Sequence, residues 1–257
     1  MQSLAPGTLE AFGLYLVRTS ALVLGAPILG GGTGFAGYKV ALIFGVAFLL
    51  YSVSGAPLDH STTPIEFACL ALREVLIGLA LSFSLHAVML ALNVAGEMVG
   101  NEMGFNMASL IDPITGVRTP VVTSMFEAFF VLGFFLVDGH HMLLRGLEQS
   151  FERAPVGSVE LSKGLPWLVE KLFTQMFTAG LTFAAPVLVL LAAASLLLAL
   201  LARAVPQLNI NEVGFTARIA VGLIGLFAFA PLLSPALQGL YSHLESALAA
   251  TLDLLGT

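Results

Sequence analysis

The feature that most limits how this chain can fold is a series of long uncharged runs. Residues 19–38, 40–58, 75–96, 172–202 and 219–244 contain no Asp, Glu, Lys or Arg, and 119–137 contain only Glu127. About 20 apolar residues in a helix cross the roughly 30 Å hydrocarbon core of a bilayer. The runs are continuous rather than alternating polar and apolar with period two, which favours helices over barrel strands. The pattern predicts an all-α integral membrane protein of about six long hydrophobic helices, near 10–29, 39–56, 66–95, 119–138, 174–202 and 216–238. Residues 1–257 read as a single membrane-embedded subunit.

Composition agrees. Hydrophobic residues make up 58% of the chain and charged residues 10%, whereas a soluble domain carries roughly 25% charged residues. So few charges cannot cover a soluble surface, and the remaining apolar area must face lipid or other subunits. The net charge of −6 is scattered. No basic stripe exists to hold phosphates, so no nucleic-acid partner is expected. Cys69 is the only cysteine, which excludes an intrachain disulfide. The first 17 residues contain no Lys or Arg, unlike the start of a secretory signal.

Several details are less regular. The run 172–202 is longer than one untilted crossing needs, and Pro186 inside it can kink the helix. Pro27 and the glycines from Gly30 to Gly34 read as a break after the first span. The longest polar connection, 139–173, is expected to hold an amphipathic helix ending near Pro155. For six spans, Lys39, Arg118, Arg203 and Arg218 fall on one side and Arg145, Arg153, Lys163 and Lys171 on the other. Four against four leaves the orientation undecided.

Ionisable groups in apolar runs come next, because a charge at the bilayer centre costs at least about 2.5–3.5 kcal/mol on insertion scales. Arg73, Glu74 and Glu127 are the candidates for buried charge, with Arg18 in the first span and Asp138 at the end of the fourth. They form either a polar path or pairs between helices and subunits, with long side chains also able to snorkel. Gly96, Gly100 and Gly104 recur every four residues and so form one smooth stripe on a helix, a pattern that permits close helix packing. Met98, Met103 and Met107 interleave with that stripe, beside Phe105. Methionine is deformable, so these residues either seal around a passing chain or pack ordinarily.

The segment Ser109–Gly116 then interrupts any helix, since Asp112 precedes Pro113 and Gly116 can supply a turn. Irregular backbone at membrane depth is tolerated only where protein buries it or it lines a water-filled path. Met103, Gly104, Phe105, Met107, Asp112, Pro113 and Gly116 are therefore candidates for a plug or constriction, with a surface loop as the alternative. His140–His141 hints at metal, but adjacent residues do not share a helix face and no Cys, Asp or Glu stands at ligand spacing, so no metal or cofactor is expected. GxxxxGK[ST], GxSxG and HExxH are absent, and no catalytic residues are assigned.

These residues resemble the family of the flagellar biosynthetic protein FliR and its type III secretion export-gate counterparts over nearly the whole length. Glu74–Val75–Leu76–Ile77–Gly78 is similar to the family's Glu-x-Leu-Ile-Gly. Gly104–Phe105 with Asp112–Pro113 and Gly116 resembles Met-Gly-x…Asp-Pro-x-x-Gly. Gly139–His140–His141, then Ser150–Phe151 through Pro155 and Gly157, resembles Gly-His-x…Ser-Phe…Pro-x-Gly, and its Gly-His leans flagellar. Arg203–Ala204–Val205–Pro206–Gln207–Leu208–Asn209–Ile210 with Gly214–Phe215 resembles Arg-x-x-Pro-Gln-x-Asn-Ile…Gly-Phe. Between Asn209 and Gly214 the family usually has apolar residues, whereas this chain has Asn211, Glu212 and Val213.

The resemblance implies a non-enzymatic R-type subunit of the flagellar type III export gate in the bacterial inner membrane, at the flagellar basal body. Its helices would form hairpins in a hetero-oligomeric helical assembly with P- and Q-type subunits and with the B-type and A-type membrane proteins. The assembly would pass unfolded flagellar proteins, and residues from Met103 to about Gly116 would help close the pore. The alternative is a small-solute secondary transporter. That function needs broken helices in paired repeats, and Pro186 offers only one break.

Overall fold

Three helices in the computed structural model are far longer than a bilayer requires. The structure describes residues 7–30, 36–58, 62–105, 121–157, 165–205 and 210–255, and all regular structure among them is helical. In chain order the helices are α1 (Thr8–Gly25), α2 (Pro27–Gly30), α3 (Ala36–Ser54), α4 (Pro64–Met103), α5 (Val121–Leu136), α6 (Gly139–Arg153), α7 (Leu165–Ala204) and α8 (Ile210–Leu255). α4 and α7 have 40 residues each and α8 has 46. At 1.5 Å per residue, 40 residues extend about 60 Å, twice the hydrocarbon thickness. α7 continues through Pro186.

Fewer helices are long and apolar enough to cross a membrane than the six read from the sequence. Gly37–Ser54, Pro64–Met103 and Glu170–Ala204 qualify, with a fourth if Val121–Leu136 and Gly139–Arg153 count as one broken span. The difference has two sources. α1 carries Glu10 and Arg18 within 18 residues, and the described apolar part of α8, Val213–Phe229, is short. α6 is the expected amphipathic helix ending just before Pro155.

Local chemistry sets the helix ends. α1 stops because Ala26, the residue before Pro27, is extended (ψ 124°), as a following proline favours. α4 opens with a capping box. The Thr63 hydroxyl accepts from the Glu66 N–H, and the Glu66 carboxylate accepts from the Thr63 N–H, each at 3.3 Å. Pro64 stands at the first helical position, where a missing donor costs nothing. At the other end the Phe105 N–H donates to Gly100 O and the Gly104 N–H to Asn101 O, both at 3.0 Å. This is a Schellman motif, and it requires the left-handed conformation that Gly104 adopts (φ 87°).

The chain folds into two compact units: residues 1–87, 137–172 and 243–257, and residues 88–136 and 173–242. In the first unit α1 packs on α3 through Phe12, whose ring meets Phe44, Phe48 and Tyr51 edge-on at 5.6, 6.5 and 5.6 Å. In the second, α5 buries Val122, Phe126, Phe130 and Phe134, a four-residue spacing that makes one face. Phe126 meets Phe183 edge-on at 5.1 Å, and Tyr241 stacks on Phe130 while donating to its carbonyl at 2.8 Å. Outward faces stay apolar. Only 11% of the Gly37–Ser54 window and 17% of the α7 window are buried.

Candidate functional site

The first unit is organised around a fully buried arginine. Arg18 has no solvent exposure, yet its guanidinium is satisfied on several sides. Nε donates to Glu74 Oε2 at 2.5 Å, Nη1 to Ser150 O at 2.7 Å and to Ser150 Oγ at 3.2 Å, and Nη2 to Ala154 O at 2.9 Å. The Ser150 hydroxyl can accept because its own proton goes to Leu147 O at 2.6 Å. Phe151 lies against the guanidinium face, 4.2 Å from Cζ to the ring centroid, and stacks on Tyr15 at 4.0 Å.

The geometry follows from charge. The last carbonyls of a helix lack intrahelical donors and form the negative end of its dipole. Arg18 places its positive fork on the C-terminal carbonyls of α6 while Glu74 neutralises the charge from α4. Close approach of α1 and α4 depends on Gly78, where a Cβ would stand 2.6 Å from Arg18 O and from Ala21 Cβ. The Glu74…Gly78 and Ser150–Phe151 motif fragments, far apart in sequence, are thus parts of one site joined by Arg18.

The other sequence candidates are placed as follows. Arg73, next to Glu74, points elsewhere. It is half-buried, and one terminal nitrogen is covered without an acceptor among the described residues. Glu127 is half-buried on α5, and no ion pair or hydrogen bond reaches it among the described residues. Met103 is fully buried in the second unit, where it occupies the space a Gly222 side chain would need. A Cβ at Gly96 would lie 2.5 Å from the Thr123 Cα, whereas Gly100 is open to 3.9 Å. Gly104 ends α4, with Phe215 near it. Met107, Asp112, Pro113, Gly116 and Pro206–Asn209 lie outside the described residues.

One reading from spacing needs correction. Asp138 does stand near His140 and His141: one ligand atom from each lies within 4.8 Å of the others. The left-handed Asp138 (φ 56°) folds back over the first turn of α6, with Oδ1 3.5 Å from His141 Nδ1. Both of those side chains are largely exposed. Metal bonds of 2.0–2.1 Å in a tetrahedral site would require the three to draw in to about 3.4 Å of one another. At the opposite end of α6, Arg153 pairs with Asp253 on the exposed surface of the same unit.

An all-helical chain with several apolar, outward-facing helices is an integral membrane protein. It belongs to the bacterial export proteins, family 1, which it matches over residues 9–244. It is similar to the flagellar biosynthetic protein FliR of Escherichia coli (strain K12), at 31% identity over 91% of this chain and 89% of the relative. The FliR of Bacillus subtilis (strain 168) is 29% identical over 96% of both chains. The surface presentation of antigens protein SpaR of Shigella flexneri is 26% identical over 82% of this chain and 81% of the relative.

Proposed function

We propose that this chain is the non-enzymatic R-type subunit of a flagellar type III export gate in the bacterial inner membrane. There it assembles with P- and Q-type subunits, beside the B-type and A-type membrane proteins, and passes unfolded flagellar substrates. The family match over residues 9–244 carries this reading. The flagellar choice rests on the higher identity of the Escherichia coli and Bacillus subtilis FliR relatives, 31% and 29%, over the 26% of SpaR. Two physical features support a place in an assembly. The long helices exceed a bilayer about twofold, and α3 and α7 leave most of their apolar surface uncovered. Deleting the gene in its own host should remove flagellar proteins from the medium without impairing general secretion, and unimpaired flagellar export would refute the proposal.

In this reading the segment from Met103 to about Gly116 narrows the pore. Met103 is buried at its start and anchors the segment, so the seal falls to Phe105 and Met107. Replacing both with Ala should raise ion leak through the assembled complex several-fold. An unchanged leak would count against a sealing role.

A further inference from the structure

Glu127 is the only charged residue of α5. It sits near the middle of a 16-residue helix, about 9 Å from the start at 1.5 Å per residue. A glutamate side chain is too short to snorkel over that distance as Lys and Arg do. The residue is half-buried and meets no donor among the described residues of its unit. It lies at the margin between the buried stripe Phe126, Phe130 and Phe134 and a face where Ser124, Ala128, Leu132 and Phe135 are exposed, Leu132 at 62% and Phe135 at 49%. Ser124 and Ala128 are small and one turn apart, so a second helix can approach closely beside the carboxylate.

Any apolar cover on this face, lipid or protein, strips water from Glu127 and leaves a charge without compensation. Lipid tails supply no donor at that depth. A helix bearing an arginine or lysine does, and a guanidinium fork fits a carboxylate with two parallel bonds.

We infer that this face of α5 receives an apolar helix of another polypeptide whose single Arg or Lys pairs with Glu127. The inference rests on the reading of this chain as a subunit of a hetero-oligomeric gate, and adds the charge that selects the neighbour.

The test uses the full chain expressed with its partner subunits and purified in mild detergent, with a benzophenone amino acid in place of Phe135. Irradiation should attach it to an apolar segment of a partner chain that carries Arg or Lys within two turns of the attachment point. Glu127→Gln should lower cross-link yield and partner recovery by about tenfold or more. Exchanging the charges, with Glu127→Arg in this chain and the partner's basic residue changed to Glu, should restore both, which a merely misfolded variant could not do. Attachment only to lipid, only to this chain, or to a partner segment without a basic residue overturns the inference and leaves the gate reading standing. Unchanged yield in Glu127→Gln overturns it likewise. Failure of the wild-type chain to recover any gate subunit overturns both.

Discussion

Arg18→Met should destabilise the first unit by about 3–5 kcal/mol, the usual cost of removing one member of a buried ion pair. The substitution fills similar volume but leaves Glu74, 3% exposed, as an uncompensated charge; it removes the Arg18 donor from Ala154 O and one donor from Ser150 O, which keeps the Ala154 N–H. Arg18→Lys should rescue little, because an ammonium cannot span three helices or lie flat on Phe151. The double variant Arg18→Met, Glu74→Leu should recover much of the loss, since a buried pair is often no more stable than a well-packed apolar replacement. Unfolding of the purified protein in detergent, followed by helical circular dichroism, gives the comparison. A wild-type-like transition for Arg18→Met alone would show that the pair holds nothing together. The expected pattern assigns Arg18 a directional role. Its bonds fix where α6 ends relative to α1 and α4, at little net gain over an oily core.

That site also marks the boundary of what the sequence reveals. Apolar runs are local, so the all-α membrane class and the amphipathic α6 are legible from composition and period. The partners of Arg18 lie 56, 132 and 136 positions away, and no periodicity points across such distances. Counted as a membrane charge, Arg18 looked like a cost in lipid, whereas protein surrounds it completely. Helix ends were partly legible and partly missed. The reading near 66–95 stopped short of Glu97 and Glu102, yet α4 runs on to Met103 because both carboxylates are exposed. Its start was written in plain view, since Thr63-Pro64-Ile65-Glu66 is a capping-box sequence ahead of an apolar run. The proximity of Asp138 to the two histidines was hidden because spacing rules assume helical backbone, and Asp138 is left-handed.

The glycine stripe shows the same limit at the scale of single atoms, and it sets the second large effect. By spacing alone Gly96 and Gly100 are equivalent, but Gly96→Ala and Gly100→Ala should change stability in opposite directions. At Gly96 the new Cβ would stand 2.5 Å from Thr123 Cα, 2.6 Å from Oγ1 and 2.8 Å from the backbone N. Two of those three atoms are backbone, which cannot rotate aside, so α4 and α5 must separate at a cost of about 1–3 kcal/mol, as in other overpacked cores. At Gly100 the nearest atom is Val122 Cγ2 at 3.9 Å, an ordinary contact. There the exchange should stabilise by up to about 1 kcal/mol, the gain in helix propensity of Ala over Gly. Thr123→Ala should not rescue Gly96→Ala, because it removes the hydroxyl and leaves the obstructing Cα and N in place. Detergent unfolding of the two single variants and of the Gly96→Ala, Thr123→Ala pair decides the matter. Equal losses at both glycines would mean that the whole stripe packs against a neighbour, and full rescue by Thr123→Ala would mean that the side chain, not the backbone, sets the approach of α5.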